Sequence, residues 1–144
     1  MLVKREALVT YSCSQMYNLV NDVLSYPVFL PACTNAEIIF QSMENVEAKL
    51  DLKKGSVNFS LLTRNTFVKD REINMQLIEG PFEYLKGSWE FLPVGEIGCH
   101  IQLHIDFKIN NSMLKILTTS VFKKICDDLI DRFVSRAHDI YAKK

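Results

Sequence analysis

The hydrophobic residues of this chain follow two different periods along its length. Between residues 36 and 109 apolar and polar residues alternate, which is typical of strands with one dry and one wet face. The alternation is clearest in VEAKLDLK, residues 46–53. Turns of a few residues, such as 53–56 and 94–98, separate these segments. Because parallel strands need long crossovers, the pattern predicts an antiparallel meander.

The two ends of the chain carry different patterns. Residues 2–10 are typical of a first strand. We expect Ser14 to cap a helix over residues 15–22, and Ser25 to cap a second short helical turn that ends near Pro31. After residue 112, apolar residues recur at helical spacing up to residue 141, with charged residues between them. This stripe predicts a long C-terminal helix.

Together these elements predict an α+β fold. We expect a curved antiparallel sheet of about six to seven strands around the long C-terminal helix, with two short helices after the first strand. The 144 residues are 48% hydrophobic and contain no Pro/Gly/Ser-rich linker. The sequence therefore predicts one domain over residues 1–144.

Charge and cysteine usage exclude several classes of function. Lys+Arg and Asp+Glu both number 17, so no overall field attracts the chain to DNA or to an anionic membrane, and at most peripheral membrane contact is expected. The sequence shows neither a secretory signal nor a membrane span, which favours a cytoplasmic location. The four cysteines are far apart and lack metal-ligand spacing, so we expect reduced thiols and no metal.

Candidate catalytic groups are better explained as surface residues. The chain contains none of the nucleotide-binding, nucleophile-elbow or zinc-protease motifs. His100 and His104 fall on the wet face of a predicted strand. The acidic residues between 127 and 131 fall opposite the apolar stripe, among basic residues at helical spacing, which favours surface ion pairs. We therefore predict that the chain is not an enzyme.

The inward-facing aromatic residues leave two interpretations open. They can meet the C-terminal helix as a solid core, or they can line an enclosed space, and periodicity does not distinguish the two. Two features favour a space. Gly87 interrupts the inward row with a missing side chain, and the polar residues Thr63 and Asn65 share a face that is otherwise apolar.

Several short segments, in order along the chain, resemble one known family. They are YPVFLP at 26–31, TRNTF at 63–67, EGPF at 79–82, LKGSWEF at 85–91 and FVSRA at 133–137. The chain resembles the coenzyme Q-binding, START-like (polyketide cyclase/dehydrase and lipid transport) family, and within it the bacterial ribosome-association toxins. The resemblance implies a helix-grip fold, in which a curved sheet holds the C-terminal helix with a tunnel between them.

The resemblance also implies a ligand and candidate residues for it. The ligand is ubiquinone or a similar polyprenyl lipid, and no cofactor is required. Matched segments place Tyr26, Phe29 and Leu30 beside the mouth and Leu85, Trp89 and Phe91 on the wall. Thr63, Arg64 and Asn65 are candidates to orient a polar head. The remaining candidates come from periodicity, and they are Phe67, Phe107, Phe122, Leu129 and Phe133.

Two functions from different classes follow from this resemblance. The first is a binding protein for a hydrophobic small molecule, a polyprenyl quinone, that supports cellular respiration. The second is an interaction protein that binds the large ribosomal subunit and blocks subunit joining, and it would use the outer surface instead of the tunnel. An enzymatic role in the tunnel is a third interpretation, but the sequence offers no acid–base pair for it.

Overall fold

A seven-stranded antiparallel sheet forms the body of the protein in a computed structural model that describes residues 1–142. Lys143 and Lys144, which end the predicted domain, lie outside the described residues. The strands are β1 (Leu2–Val9), β2 (Cys33–Gln41), β3 (Asn45–Lys54), β4 (Val57–Val68), β5 (Glu72–Glu79), β6 (Phe82–Val94) and β7 (Gly98–Ile109). The predicted fold class and strand number are confirmed.

The strand order is β1-β7-β6-β5-β4-β3-β2, so strands β2 to β7 form the expected meander and β1 pairs with the last strand. Gly55 lies in the β3–β4 turn and Gly95 in the β6–β7 turn, with φ of 61° and 62°. Left-handed backbone of this kind is readily adopted by glycine. These turns keep consecutive strands adjacent in the sheet.

One face of the sheet is dry and the other faces water. In β7 every second residue from Cys99 to Ile109 is buried, whereas the residues between them are half-buried or exposed. Across the sheet the inward rows continue into β6 at Leu85, Trp89 and Phe91. This is the arrangement that the alternating pattern predicts.

The first helix, α1 (Cys13–Asn21), begins earlier than the sequence pattern suggested. Its cap is Ser12 and not Ser14. The Ser12 hydroxyl accepts a hydrogen bond from the Gln15 N–H at 3.0 Å, and the Gln15 side-chain carbonyl accepts one from the Ser12 N–H at 2.9 Å. This reciprocal capping box satisfies two amide groups at once, which a cap at Ser14 would not do.

The second short helix, α2 (Tyr26–Phe29), follows a 3₁₀ turn at Val23–Ser25. Ser25 precedes this helix as expected, but its side chain makes no capping bond to it. Its hydroxyl instead donates to Asp22 at 2.6 Å. The helix ends before Pro31, as predicted.

The long C-terminal helix, α3 (Thr119–Tyr141), lies against the inner face of the sheet. Its buried residues are Phe122, Ile125, Cys126, Ile130, Phe133 and Ala137. The expected surface ion pairs are present between Lys123 and Asp127 at 2.6 Å and between Arg132 and Asp128 at 2.8 Å. In the described part of the chain, no helix has the length and apolar character needed to cross a membrane.

Candidate functional site

Aromatic side chains of α3 pack against rings of the sheet and of α2 in two clusters. Near the start of the helix, the Phe122 ring centroid lies 4.7 Å from that of Phe107 and 4.8 Å from that of Phe82. Further along, the Phe133 centroid lies 5.1 Å from that of Trp89 and 5.2 Å from that of Phe29. Eleven residues of helix rise by about 16 Å, so the two clusters are well separated along α3.

A cavity of about 330 Å³ lies between these clusters, under the central turns of α3. Its volume falls within the range of ligand pockets, which is about 300–1,000 Å³. Gly87 forms part of the wall and contributes no side chain that would reach the helix. The residues that line the cavity are Tyr26, Leu30, Pro31, Ala32, Cys33, Leu50, Leu52, Lys53, Lys54, Leu61, Thr63, Met75, Leu85, Gly87, Trp89, Ile105, Phe122, Lys124, Ile125, Cys126, Asp128, Leu129, Arg132 and Phe133.

A buried polar pair accompanies this apolar wall. The Thr63 hydroxyl donates to the Asn65 side-chain oxygen at 2.9 Å, and both residues are buried. Thr63 lines the cavity. Because a hydroxyl that donates one bond still has acceptor lone pairs, Thr63 can accept a hydrogen bond from a ligand.

The titratable groups inside the cavity are held in their neutral forms. Burial raises the pKa of the Cys126 thiol to about 12, with a further contribution from nearby Asp127. Burial also raises the pKa of Cys33 and of Tyr26, whose hydroxyl donates to the Val20 carbonyl. A protonated thiol is a poor nucleophile. The cavity interior therefore favours binding over covalent chemistry.

The open end of the cavity is rich in positive charge. Lys53 and Lys54 end β3, and Lys124, Asp128 and Arg132 follow one another at four-residue spacing on α3. All five are exposed, whereas most of the apolar lining residues are buried. We call this set the cationic rim. Its acidic member, Asp128, pairs with Arg132 at 2.8 Å.

The structure brings many of the sequence-predicted site residues together on the cavity wall. They are Tyr26, Leu30, Thr63, Leu85, Trp89, Phe122, Leu129 and Phe133. They come from α2 and the residue that follows it, from β4 and β6, and from α3, so the fold brings together residues that are distant in the chain.

Other predicted aromatic residues lie behind the wall. Phe29 packs against Tyr26 and Phe133, and Phe91 stacks on Trp89 with centroids 6.4 Å apart. Phe107 supports Phe122. These three residues hold wall residues in place but do not line the space, because a second aromatic ring stands in front of each.

Three further predicted site residues, on β4, do not line the cavity. Asn65 is buried and bonded to Thr63, and Phe67 packs with a small cluster around Val23 and Val46, and neither residue lines the cavity. Arg64 lies on the opposite face of the sheet, where its guanidinium contacts Glu47 at 3.2 Å. Adjacent strand residues point to opposite faces, so Arg64 cannot share a site with Thr63.

Sequence reasoning missed several wall residues and the whole of the rim. Leu50, Leu52, Leu61 and Ile105 belong to the inward rows that the alternating pattern already identified, so periodicity could have added them. The lysines of the rim carry no such signal, because exposed lysines are common on strand ends and helices. The structure alone places them around one opening.

The outer surface offers no metal centre within residues 1–142. No group of three or more His, Cys, Asp or Glu side chains in this range converges. His100 instead contacts Glu6 at 3.5 Å on the outer face of the sheet. The four cysteines form no disulfide and are buried, and the Cys13 thiol donates a hydrogen bond to the Cys99 sulfur at 2.8 Å.

Comparison with known proteins identifies the family. The profile described as "Polyketide cyclase / dehydrase and lipid transport" matches residues 9–134. The chain belongs to this family. The match covers the whole path from the end of β1 to the last turns of α3, and thus includes every element that surrounds the cavity.

Curated relatives of this chain include proteins named as toxins and a protein named for coenzyme Q binding. The chain is 37% identical to the "Ribosome association toxin RatA" of Escherichia coli over 142 residues, which is 99% of this chain and 90% of that protein. It is 27% identical to the mitochondrial "Coenzyme Q-binding protein COQ10" of Drosophila melanogaster over 135 residues, or 90% of this chain and 55% of that protein.

Solved structures of this fold are similarly diverse. TTHA0849 from Thermus thermophilus aligns with a TM-score of 0.84 at 16% identity, covering 98% of this chain and 99% of that one. A START superfamily protein from Mycobacterium smegmatis gives 0.74 at 16% identity, covering 94% and 92%. The Zhui aromatase/cyclase from Streptomyces sp. R1128 gives 0.74 at 18% identity, covering 95% and 87%. At these identities the likeness shows the START-like fold and no activity.

Proposed function

We propose that this chain is a non-catalytic binding protein that holds an elongated hydrophobic ligand between the sheet and α3. We propose an isoprenoid quinone such as ubiquinone, or a related polyprenyl lipid, as that ligand. The observation that carries this proposal is the apolar cavity of about 330 Å³ between the sheet and α3. The family description and the name of the COQ10 relative point to the same chemistry.

Burial of an apolar tail supplies the binding energy. Each 100 Å² of apolar ligand surface removed from water contributes about 2.5 kcal/mol. Trp89, Phe122 and Phe133 offer rigid aromatic walls whose conformations are already fixed by neighbouring rings. Because these side chains are ordered before binding, little of that energy is lost in ordering the wall.

The absence of catalysis in this proposal rests on the chemistry of the wall. The thiols of Cys33 and Cys126 have raised pKa values and stay protonated at neutral pH. The charged lining residues belong to the rim and not to the interior. The described lining contains no buried acid–base pair, which general acid–base catalysis would need.

The test is to identify what the cavity holds. Native mass spectrometry of protein purified from its own host, followed by solvent extraction, should release a stoichiometric apolar small molecule. Leu129→Trp should abolish this occupancy, because the larger ring projects into the cavity from α3. Ile97→Trp, in the exposed β6–β7 turn, makes a comparable change away from the cavity and should retain the ligand.

An empty wild-type protein that also fails to take up added ubiquinone would contradict the proposal. Equal occupancy in Leu129→Trp and Ile97→Trp would contradict the assignment of the ligand to this cavity. Circular dichroism of both variants shows whether each retains the native fold.

Association with the large ribosomal subunit is the second candidate function. It is favoured by 37% identity, over nearly the whole chain, to a protein named as a ribosome association toxin. A groove on the outer sheet face is the surface that we propose for it, because Lys4, Arg64, Lys86 and His104 line it together. Basic groups of this kind neutralise phosphates of RNA.

Co-sedimentation with purified large subunits tests this second function. At low salt, where phosphate contacts are strongest, the wild-type chain should sediment with the subunits. The double variant K4Q/K86Q should bind several-fold more weakly, whereas K69Q/K115Q, which removes the same charge elsewhere, should bind normally. Failure of the wild type to sediment would remove this candidate.

A further inference from the structure

We infer that the ligand of this cavity carries an anionic head, a carboxylate or a phosphate, which the cationic rim binds while the apolar tail fills the interior. This inference rests on the proposed binding function and, of the two ligand classes proposed there, favours a lipid with a charged head over the neutral quinone. The rim supplies four cations, Lys53, Lys54, Lys124 and Arg132, and one carboxylate, Asp128, which are exposed residues of the cavity lining.

The charge of the rim is local and does not reflect a basic protein. Lys+Arg and Asp+Glu are equal at 17 over the whole chain. An excess of cations at one opening must therefore be balanced by an excess of acids elsewhere. Like charges gathered at one place repel each other and destabilise the fold slightly. A counter-ion that arrives with the ligand relieves that repulsion.

The ion pairs of the rim leave its lysines available. Within the described residues Asp128 contacts Arg132, and the neighbouring Asp127 contacts Lys123, which faces away from the cavity. No ion pair of Lys53, Lys54 or Lys124 is found in that part of the chain. These three lining lysines thus have no ion-pair partner among the described residues, and an ammonium group can donate hydrogen bonds to an oxyanion.

The two sides of the opening fit the recognition of a head group. Lys53 and Lys54 lie where β3 ends, and Lys124 lies on α3, on the other side of the cavity. The interior beyond them offers few polar partners, chiefly Thr63 and the protonated thiols. A charged head could not be desolvated there without a large cost, so it must stay at the rim while the tail enters.

A neutral ligand would make no use of this arrangement. The carbonyl oxygens of a quinone can accept hydrogen bonds, but they carry no net charge to attract several lysines. For such a ligand the lysines would contribute to solubility alone. Binding of two molecules with the same tail and different heads separates the two cases.

The experiment compares tail-matched probes below their aggregation concentrations. Dodecanoate is compared with dodecan-1-ol, and farnesyl monophosphate with farnesol. The chain contains one tryptophan, Trp89, and it lines the cavity, so quenching or enhancement of its fluorescence reports entry of each tail. We expect the anionic member of at least one pair to bind about tenfold more tightly, since three exposed charge contacts each contribute a factor of roughly 1.5 to 5.

Matched variants assign the preference to the rim. In K53Q/K54Q/K124Q the anionic probe should lose its advantage, and the affinity of the neutral probe should change less than twofold. In K69Q/K108Q/K115Q, which changes the net charge equally at exposed sites outside the cavity lining, both affinities should stay as in the wild type. Sodium chloride at 0.5 M should reduce the wild-type preference, because salt screens exposed charges.

The outcomes separate this inference from the proposed function. Equal affinities for charged and neutral probes would overturn the anionic head and leave the binding function standing. No fluorescence response to any tail would overturn both. Flotation with vesicles of phosphatidylcholine and phosphatidylglycerol identifies the source of the anion. If the chain binds these vesicles but not the monomeric anions, the rim recognises a membrane surface and the inference fails.

Discussion

Gly87 on β6 lies opposite Met75 on β5, and the two residues leave no room for a side chain between them. A Cβ atom placed on Gly87 would come within 2.8 Å of the terminal methyl of Met75 and 3.2 Å of the His104 carbonyl oxygen. Both residues line the cavity. Because Gly87 has no side chain, the end of Met75 can lie against β6 and leaves the space below α3 free.

Gly87→Ala should narrow the cavity. The methionine methyl is the flexible end of its side chain, so it yields first and moves toward the cavity. We expect about tenfold weaker binding of an apolar ligand, with the free energy of unfolding lowered by about 1 to 3 kcal/mol from overpacking. Ligand titration followed by Trp89 fluorescence, together with urea unfolding, measures both effects.

The double variant Gly87→Ala/Met75→Ala is the control for this mechanism. Removing the long side chain should restore the lost space, so binding should recover relative to Gly87→Ala alone. A double variant that binds as weakly as the single one would show that the His104 carbonyl contact, and not Met75, controls the cavity.

Ser12→Ala should destabilise the protein through the first helix. The substitution removes the side-chain partner of the Gln15 N–H and one half of the capping box, which lowers the free energy of unfolding by about 1 kcal/mol. Ser14→Ala and Ser25→Ala are matched controls, because neither side chain caps a helix. Chemical denaturation of the three variants ranks them, and an equal loss in Ser14→Ala would contradict the observed cap.

The sheet and α3 could be predicted because their patterns are redundant. The alternation of residues 46–53 or 99–109 assigns each side chain to a face, and an error at one position is corrected by its neighbours. The start of α1 is harder to predict from the sequence, because Ser12 and Ser14 are both residues that commonly cap helices. Gln15 decides between them, because it lies three residues after Ser12 and completes the box.

The cavity itself could not be derived from periodicity. An inward aromatic such as Phe107 and a wall residue such as Trp89 occupy equivalent positions in the alternating pattern. What separates them is the three-dimensional position of Phe122 and Phe133, which fill the space at two points and leave it open between them. The placement of Arg64 was a different kind of error. The neighbouring Thr63 and Asn65 belong to the inner row, and alternation alone already assigns Arg64 to the outer face.

Thr63→Val and Arg64→Gln provide a test of those opposite faces. Thr63→Val keeps the shape of the side chain but leaves the buried Asn65 oxygen without its donor, which should lower the free energy of unfolding by about 1 to 3 kcal/mol. Arg64→Gln removes an exposed contact to Glu47 and should cost less than about 1 kcal/mol. Urea denaturation of both variants makes the comparison, and a larger loss in Arg64→Gln would contradict the placement of these residues.

Raising the pH above 9 should destabilise the protein, in part through the buried thiol of Cys126. Its pKa in the folded protein is about 12, against 9.0 for an unburied thiol. Between these values the unfolded chain loses the proton and the folded chain keeps it. The folded state therefore binds more protons, and stability is lost as the pH rises, by up to about 1.4 kcal/mol per pH unit for this thiol.

Cys126→Ala removes this contribution and gives the prediction its measurement. Thermal unfolding between pH 8 and pH 11 should show a steep loss of stability in the wild type and a shallower loss in the variant. The slopes are compared, and not the absolute values, because loss of the buried sulfur also changes packing. Parallel slopes would mean that the thiol ionises as easily in the folded protein as in the unfolded one. Cys126 would then be in contact with water that enters the cavity, which contradicts its burial in the structure.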